Sequence, residues 1–128
     1  MAVKKKVIFV LDDEDSVVST LKMVLEGTNK YEVFGETRSE NALNQIRQNK
    51  PDLVLLDIHM PHVDGSQIAA QMKADSSLKN IPVIFLTGII TKEESKRSPV
   101  QGTAPVLAKP VALQEILDCI EKQLSLKP

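Results

Sequence analysis

The stretch KVIFVLDDEDSVVSTLKMVLEG, residues 6–27, holds both halves of a repeating unit. KVIFVL is apolar without alternation, as expected of a strand buried on both faces. Val17, Val18, Leu21, Val24 and Leu25 then follow helical spacing, with Asp15 placed as N-cap and Gly27 as stop. Between the two elements stand four successive carboxylates: Asp12, Asp13, Glu14 and Asp15. Like charges this close repel one another. A chain that only needed to leave a strand has Gly, Asn or Ser for the purpose, so the carboxylates raise the question of what they bind.

Outward from this unit the pattern repeats. YEVFGE (31–36) predicts a shorter, more polar strand of edge character. SENALNQIRQNK (39–50) predicts a helix capped by Ser39, with Ala42, Leu43 and Ile46 on one face and Pro51 after its end. LVLLDI (53–58) is a second strongly apolar strand. The loop HMPHVDG follows, and then SQIAAQMKADSSL (66–78), helical with Ile68, Ala69 and Met72 inward. IPVIFLTG (81–88) is a strand that tolerates Pro82 at its start. PVLAK (105–109) is a last short strand. VALQEILDCIEKQLSL (111–126) is a helix with Leu113, Ile116, Leu117, Ile120 and Leu124 in one stripe, bordered by Cys119 as a small packing residue. TKEESKRS (91–98) has room for two helical turns, lacks an apolar stripe and is ended by Pro99. Five strand–helix units with buried strands argue for a parallel sheet with helices on both faces. Ligands of such sheets sit beyond the carboxyl ends of the strands.

Length and composition narrow the function. The chain has 128 residues, which suggests one domain spanning 1–128. Formal net charge is -1 and aromatics total 3%, which argues against a nucleic-acid binder. KKK at 4–6, beside a strand start, reads as a solvated end. Cys119 is the only cysteine, so a disulfide or a cysteine zinc site within one chain is excluded. There is no signal-peptide pattern and no apolar run near the ~20 residues of a membrane span, and the expected compartment is the cytoplasm.

At the strand ends the residues form a chemical set. The first strand delivers Asp12 and Asp13, the third Asp57, the fourth Thr87 and the fifth Lys109. Each alone has a plain reading as a helix cap, a solvated lysine or a strand threonine. Together, three hard carboxylate donors suit Mg²⁺, while an ammonium and a hydroxyl suit a phosphoryl group. A carboxylate nucleophile, a metal and a cation are what phosphoryl transfer through an acyl phosphate needs. His59 and His62 invite a transition-metal reading, which the neighbouring hard carboxylates disfavour.

The acidic pair DD at 12–13, LLDIHMPHVDG at 55–65, FLTG at 85–88 and AKP at 108–110 resemble the receiver domain of two-component response regulators. The resemblance covers nearly the whole chain in order. It implies a flavodoxin-like (βα)5 three-layer sandwich whose strand order, 2-1-3-4-5, is carried over from the family rather than derived from the residues. It also implies a site. Asp57 is the phosphorylated nucleophile, Asp13 and Asp57 ligate Mg²⁺ directly, Asp12 acts mainly through water, and the backbone carbonyl of His59 completes the protein ligands. Lys109 pairs with Asp57 before transfer and with a phosphoryl oxygen after it, and Thr87 bonds another phosphoryl oxygen. A cis peptide joins Lys109 to Pro110. Glu14 is left solvated, with no required role.

The implied donor is a phosphohistidine on a histidine kinase or histidine phosphotransfer protein, with an output protein or domain downstream and a monomer or weak dimer as the working form. The protein is then a signalling switch or phosphorelay intermediate rather than an enzyme. Two other classes compete. A haloacid-dehalogenase-type hydrolase needs an acid two residues after its nucleophile, where this chain has His59. A pseudo-receiver kept for binding need not retain all five chemical positions. The chain departs from the family twice: Val106 stands where a Tyr or Phe is usual, and the fourth helical segment is polar and broken by Pro99.

Overall fold

The computed structural model describes residues 5–58, 64–88, 104–109 and 112–126. Its elements run β1 (Lys6–Leu11), α1 (Asp15–Glu26), β2 (Tyr31–Glu36), a 3-10 turn (Ser39–Asn41) leading into α2 (Ala42–Asn49), β3 (Leu53–Asp57), α3 (Gly65–Lys73), β4 (Val83–Thr87), β5 (Val106–Ala108) and α4 (Leu113–Leu126). The five strands form one parallel sheet in the order β2-β1-β3-β4-β5, with β2 at an edge as its polarity predicted. The 91–98 segment lies outside the described residues. Among the described residues no helix is long and apolar enough to cross a membrane.

Strand side chains alternate between two cores. Phe9, Leu11, Val54, Leu56, Phe85 and Val106 pack with Ala42 and Ile46 of α2 and Ile68, Ala69 and Met72 of α3. Ile8, Val10, Leu53, Leu55, Ile84 and Leu86 pack with Val18 and Leu25 of α1 and Ile116 and Ile120 of α4. All five residues of β3 are buried. A strand covered on both faces has no polar face to show, which is why its sequence does not alternate. Gly35 lets α1 come close to β2, since a Cβ there would overlap Val18 Cγ1.

The helix ends differ from expectation in three places. Asp15 is the first residue of α1 rather than its cap; Glu14 holds the extended cap position, without a side-chain cap bond. Ser39 opens a 3-10 turn and likewise caps nothing. Gly27 does stop α1, as its C-cap, but it stays right-handed at φ -63; the left-handed residue is Asn29, φ 63. Thr28 Oγ1 donates to the Leu25 carbonyl at 2.8 Å and so satisfies one end of α1. Finally, α3 stops at Lys73 rather than running to Leu78. Asp75 captures the Ser77 N–H at 2.9 Å and its hydroxyl at 2.7 Å, a local turn that competes with the helix. In α4 the stripe holds for Ile116, Leu117, Ile120 and Leu124, but Leu113, the first residue of the helix, is 49% exposed.

Candidate functional site

Register alone brings the chemistry together. Leu11 pairs with Leu56, so Asp12 emerges beside Asp57. Asp57 pairs with Leu86 and Thr87 with Ala108, so Thr87 and Lys109 close the row. The Lys109 N–H donates to the Thr87 carbonyl at 2.8 Å, which carries the ladder to the base of the lysine.

The polar groups are enclosed. Asp12 is 0% exposed, Asp57 3% and Thr87 1%. The Asp12 N–H donates to the Glu36 carbonyl at 3.2 Å, and Asp12 Oδ1 accepts the Glu14 N–H at 3.0 Å. Asp12 Oδ2 is shut off from solvent and is neutralised by Lys109 Nζ at 2.6 Å. The same ammonium lies 3.4 Å from Asp57 Oδ2 and 3.6 Å from Glu14 Oε1. Lys109 therefore reaches Asp57, as expected, but its shortest contact is Asp12.

Burial of the ammonium acts to lower its pKa. The hydrogen bond and charge of Asp12, followed by those of Asp57, outweigh it and raise the pKa above the ordinary value. A raised folded-state pKa contributes stability that is fully present below the unfolded value. That stability is lost only as pH rises through the folded value, in the strongly alkaline range. Lys109 is thus a fixed cation at neutral pH.

Asp12, Asp13 and Asp57 each offer one carboxylate oxygen, and these oxygens lie within 4.8 Å of one another. Three hard oxygen donors so close fit a divalent cation such as Mg²⁺, which keeps waters in its remaining positions. Asp13 is exposed while its two partners are buried, leaving an approach from solvent. His59, with its carbonyl, and Pro110, with its peptide bond to Lys109, lie outside the described residues.

Below the acids, α3 abuts the end of β3. The Gly65 N–H donates to the Ile58 carbonyl at 2.9 Å, and a Cβ on Gly65 would overlap the Asp57 carbonyl oxygen. Both partners are backbone, so no flexible side chain is there to yield. Gly65→Ala is expected to destabilise the fold by about 3 kcal/mol, at the upper end of overpacking costs, read by urea denaturation. A variant as stable as wild type would show that the β3–α3 junction relaxes freely. Asp64 caps α3 through Ser66 and Gln67 and takes no part in the acidic cluster.

Glu14 is solvated as expected, 61% exposed, but its approach to within 3.6 Å of Lys109 Nζ was not anticipated. A signal was present: an Asp whose side-chain oxygen accepts the N–H two residues on forms an Asx turn. That turn carries the Glu14 side chain back toward Lys109.

The chain that carries these residues has matches among known proteins. The response regulator receiver domain profile matches residues 8–121. The chain belongs to the response regulator receiver family. Among its relatives, the polar-differentiation response regulator DivK of Brucella anthropi is 27% identical over 119 residues, covering 93% of this receiver and 96% of DivK. A solved response regulator structure from Chloroflexus aurantiacus J-10-fl is 30% identical and superposes with a TM-score of 0.83, over 95% of this receiver and 99% of that chain. A response regulator receiver domain protein from Clostridium thermocellum reaches 0.81 at 27% identity, over 95% and 96%. The receiver fold and the strand order expected from the resemblance are both present.

Proposed function

We propose that this receiver takes a phosphoryl group onto Asp57 from a phosphohistidine of a partner histidine kinase or histidine phosphotransfer protein, and signals by that mark as a switch or relay intermediate. One observation carries the reading. The Asp57 carboxylate ends a fully buried strand, lies within ion-pair reach of Lys109, and shares a 4.8 Å cluster with Asp12 and Asp13.

Asp57 attacks phosphorus through a carboxylate oxygen, the bond from phosphorus to the donor's imidazole nitrogen breaks, and its electron pair returns to that nitrogen. Asp12, Asp13 and Asp57, with the His59 carbonyl, would hold Mg²⁺. Bound there, Mg²⁺ offsets the repulsion of the acids and the charge growing on the phosphoryl oxygens. Lys109 follows the charge from the carboxylate to a phosphoryl oxygen, and the Thr87 hydroxyl donates to another. The chemistry is stoichiometric self-modification, without turnover of a free substrate. The working setting is the cytoplasm, as a monomer or weak dimer, and residues 1–128 act as one receiver domain.

Output departs from an aromatic switch. Val106 is buried, pairs with Phe85 and packs in the α2–α3 core. A stiff β-branched side chain there does not fill the space behind a moved Thr87. Incubation with acetyl phosphate and Mg²⁺ is expected to add one phosphoryl group, base-labile and absent in chelator, that maps to Asp57. A label elsewhere, or one indifferent to chelation, would overturn the assignment.

A further inference from the structure

Glu14 stands at the mouth of this site with a fixed backbone and an exposed charge. Its N–H is held by Asp12 Oδ1, and its carbonyl accepts the Val17 and Val18 N–H groups at 3.0 and 3.2 Å. Its side chain is 61% exposed, yet its carboxylate comes to 3.6 Å from Lys109 Nζ. It borders an open groove of about 490 Å³ that runs from Glu14 and Lys109 along α1, lined by Val17, Thr20, Leu21, Leu86 and Gly88.

We propose that Glu14 sets the charge of this mouth, drawing in the divalent cation and turning away small anionic phosphodonors. This rests on the reading of Asp57 as phosphoacceptor. The charge balance makes the case. Asp12, Asp13, Asp57 and Glu14 face one ammonium, so the bare cluster is strongly negative and attracts a divalent cation. Once that cation is bound, these groups retain a single net negative charge. Glu14 is the carboxylate among them that the three-acid cluster does not use, and without it the loaded site is neutral. A small donor such as acetyl phosphate arrives as a dianion and meets that residual charge at the rim. A protein donor presents its phosphohistidine on a surface whose own contacts can outweigh one exposed carboxylate.

Removing the charge therefore acts in opposite directions on two readouts. In Glu14→Gln at low ionic strength, the Mg²⁺ dissociation constant is expected to rise about threefold. Labelling by acetyl phosphate at saturating Mg²⁺ is expected to speed up about threefold, as one charge several ångströms away in a solvent-like medium dictates. Both differences shrink in about 0.5 M KCl, where the screening length falls to a few ångströms. Glu14→Asp keeps the charge and is expected to stay near wild type, as is Glu32→Gln, which removes an exposed carboxylate of β2. A purely structural role for Glu14 would slow labelling and weaken Mg²⁺ binding together, and that result overturns the proposal. So does unchanged Mg²⁺ affinity, or a gain in labelling that survives high salt. If wild type takes no label at all, the Asp57 reading fails, and the Mg²⁺ titration still decides the role of Glu14.

Discussion

Replacing Asp57 by Asn is expected to abolish labelling by acetyl phosphate and, in the same protein, to make the metal-free fold more stable. The first effect follows from chemistry. An amide of nearly the same shape fills the end of β3 but lacks the anionic oxygen that attacks phosphorus. Labelling should fall to background, on the order of a hundredfold or more, while the circular dichroism spectrum stays unchanged. The second effect follows from electrostatics. Asp57 is 3% exposed and has carboxylate neighbours within 4.8 Å, with Lys109 shared among them. Two like charges near 4.8 Å repel by a few kcal/mol at an effective dielectric of about 20, and the weakened contact to Lys109 gives part of this back. A net gain of about 1–2 kcal/mol at neutral pH, read by urea denaturation in chelator, is the expected balance. Label retained in the variant would remove Asp57 from its role. A less stable variant would show that its hydrogen bonds outweigh the repulsion.

Lys109→Met is the mirror experiment. The aliphatic stem is largely kept, so the packing loss is small, but Asp12 Oδ2 loses its 2.6 Å partner while remaining closed off from solvent. Breaking a buried ion pair from one side costs about 3–5 kcal/mol, because an uncompensated charge stays behind. Lys109 keeps 17% of its side chain exposed, so a loss near 3 kcal/mol in chelator is expected. Saturating Mg²⁺ binds the folded cluster and should recover much of that loss by mass action. Labelling should also slow, since no ammonium remains to follow the charge onto the phosphoryl oxygens. A variant as stable as wild type in chelator would mean that Lys109 is not the counter-ion of these acids. A deficit that Mg²⁺ leaves untouched would mean that it does not share their site.

Much of this molecule is written locally. Continuous apolar runs at KVIFVL and LVLLD mark strands covered on both faces, and helical spacing at Ile68, Ala69 and Met72 marks a buried helix face. Asp12, Asp13, Asp57, Thr87 and Lys109 were legible as candidates because each sits where a strand runs out, and parallel strands run out at one edge. The helix ends were less legible. Whether Asp15 or Ser39 serves as a cap depends on where the chain must turn to reach the next strand. The early stop of α3 depends on a side chain, Asp75, that bonds its own backbone.

The sequence by itself determined the element order, the two-sided burial of the sheet and the set of residues gathered at its carboxyl edge, because these follow from periodicity and strand polarity. Only the tertiary structure decided how the charges are shared. Lys109 lies closer to Asp12 than to Asp57, and Glu14 bends back to the same ammonium. Those distances depend on strand register, on the Asx turn after β1 and on the backbone contact between Gly65 and Asp57. Coulomb energy depends on separation and burial, and both arise between residues 52 and 97 positions apart in the chain, from Asp57 and Asp12 to Lys109.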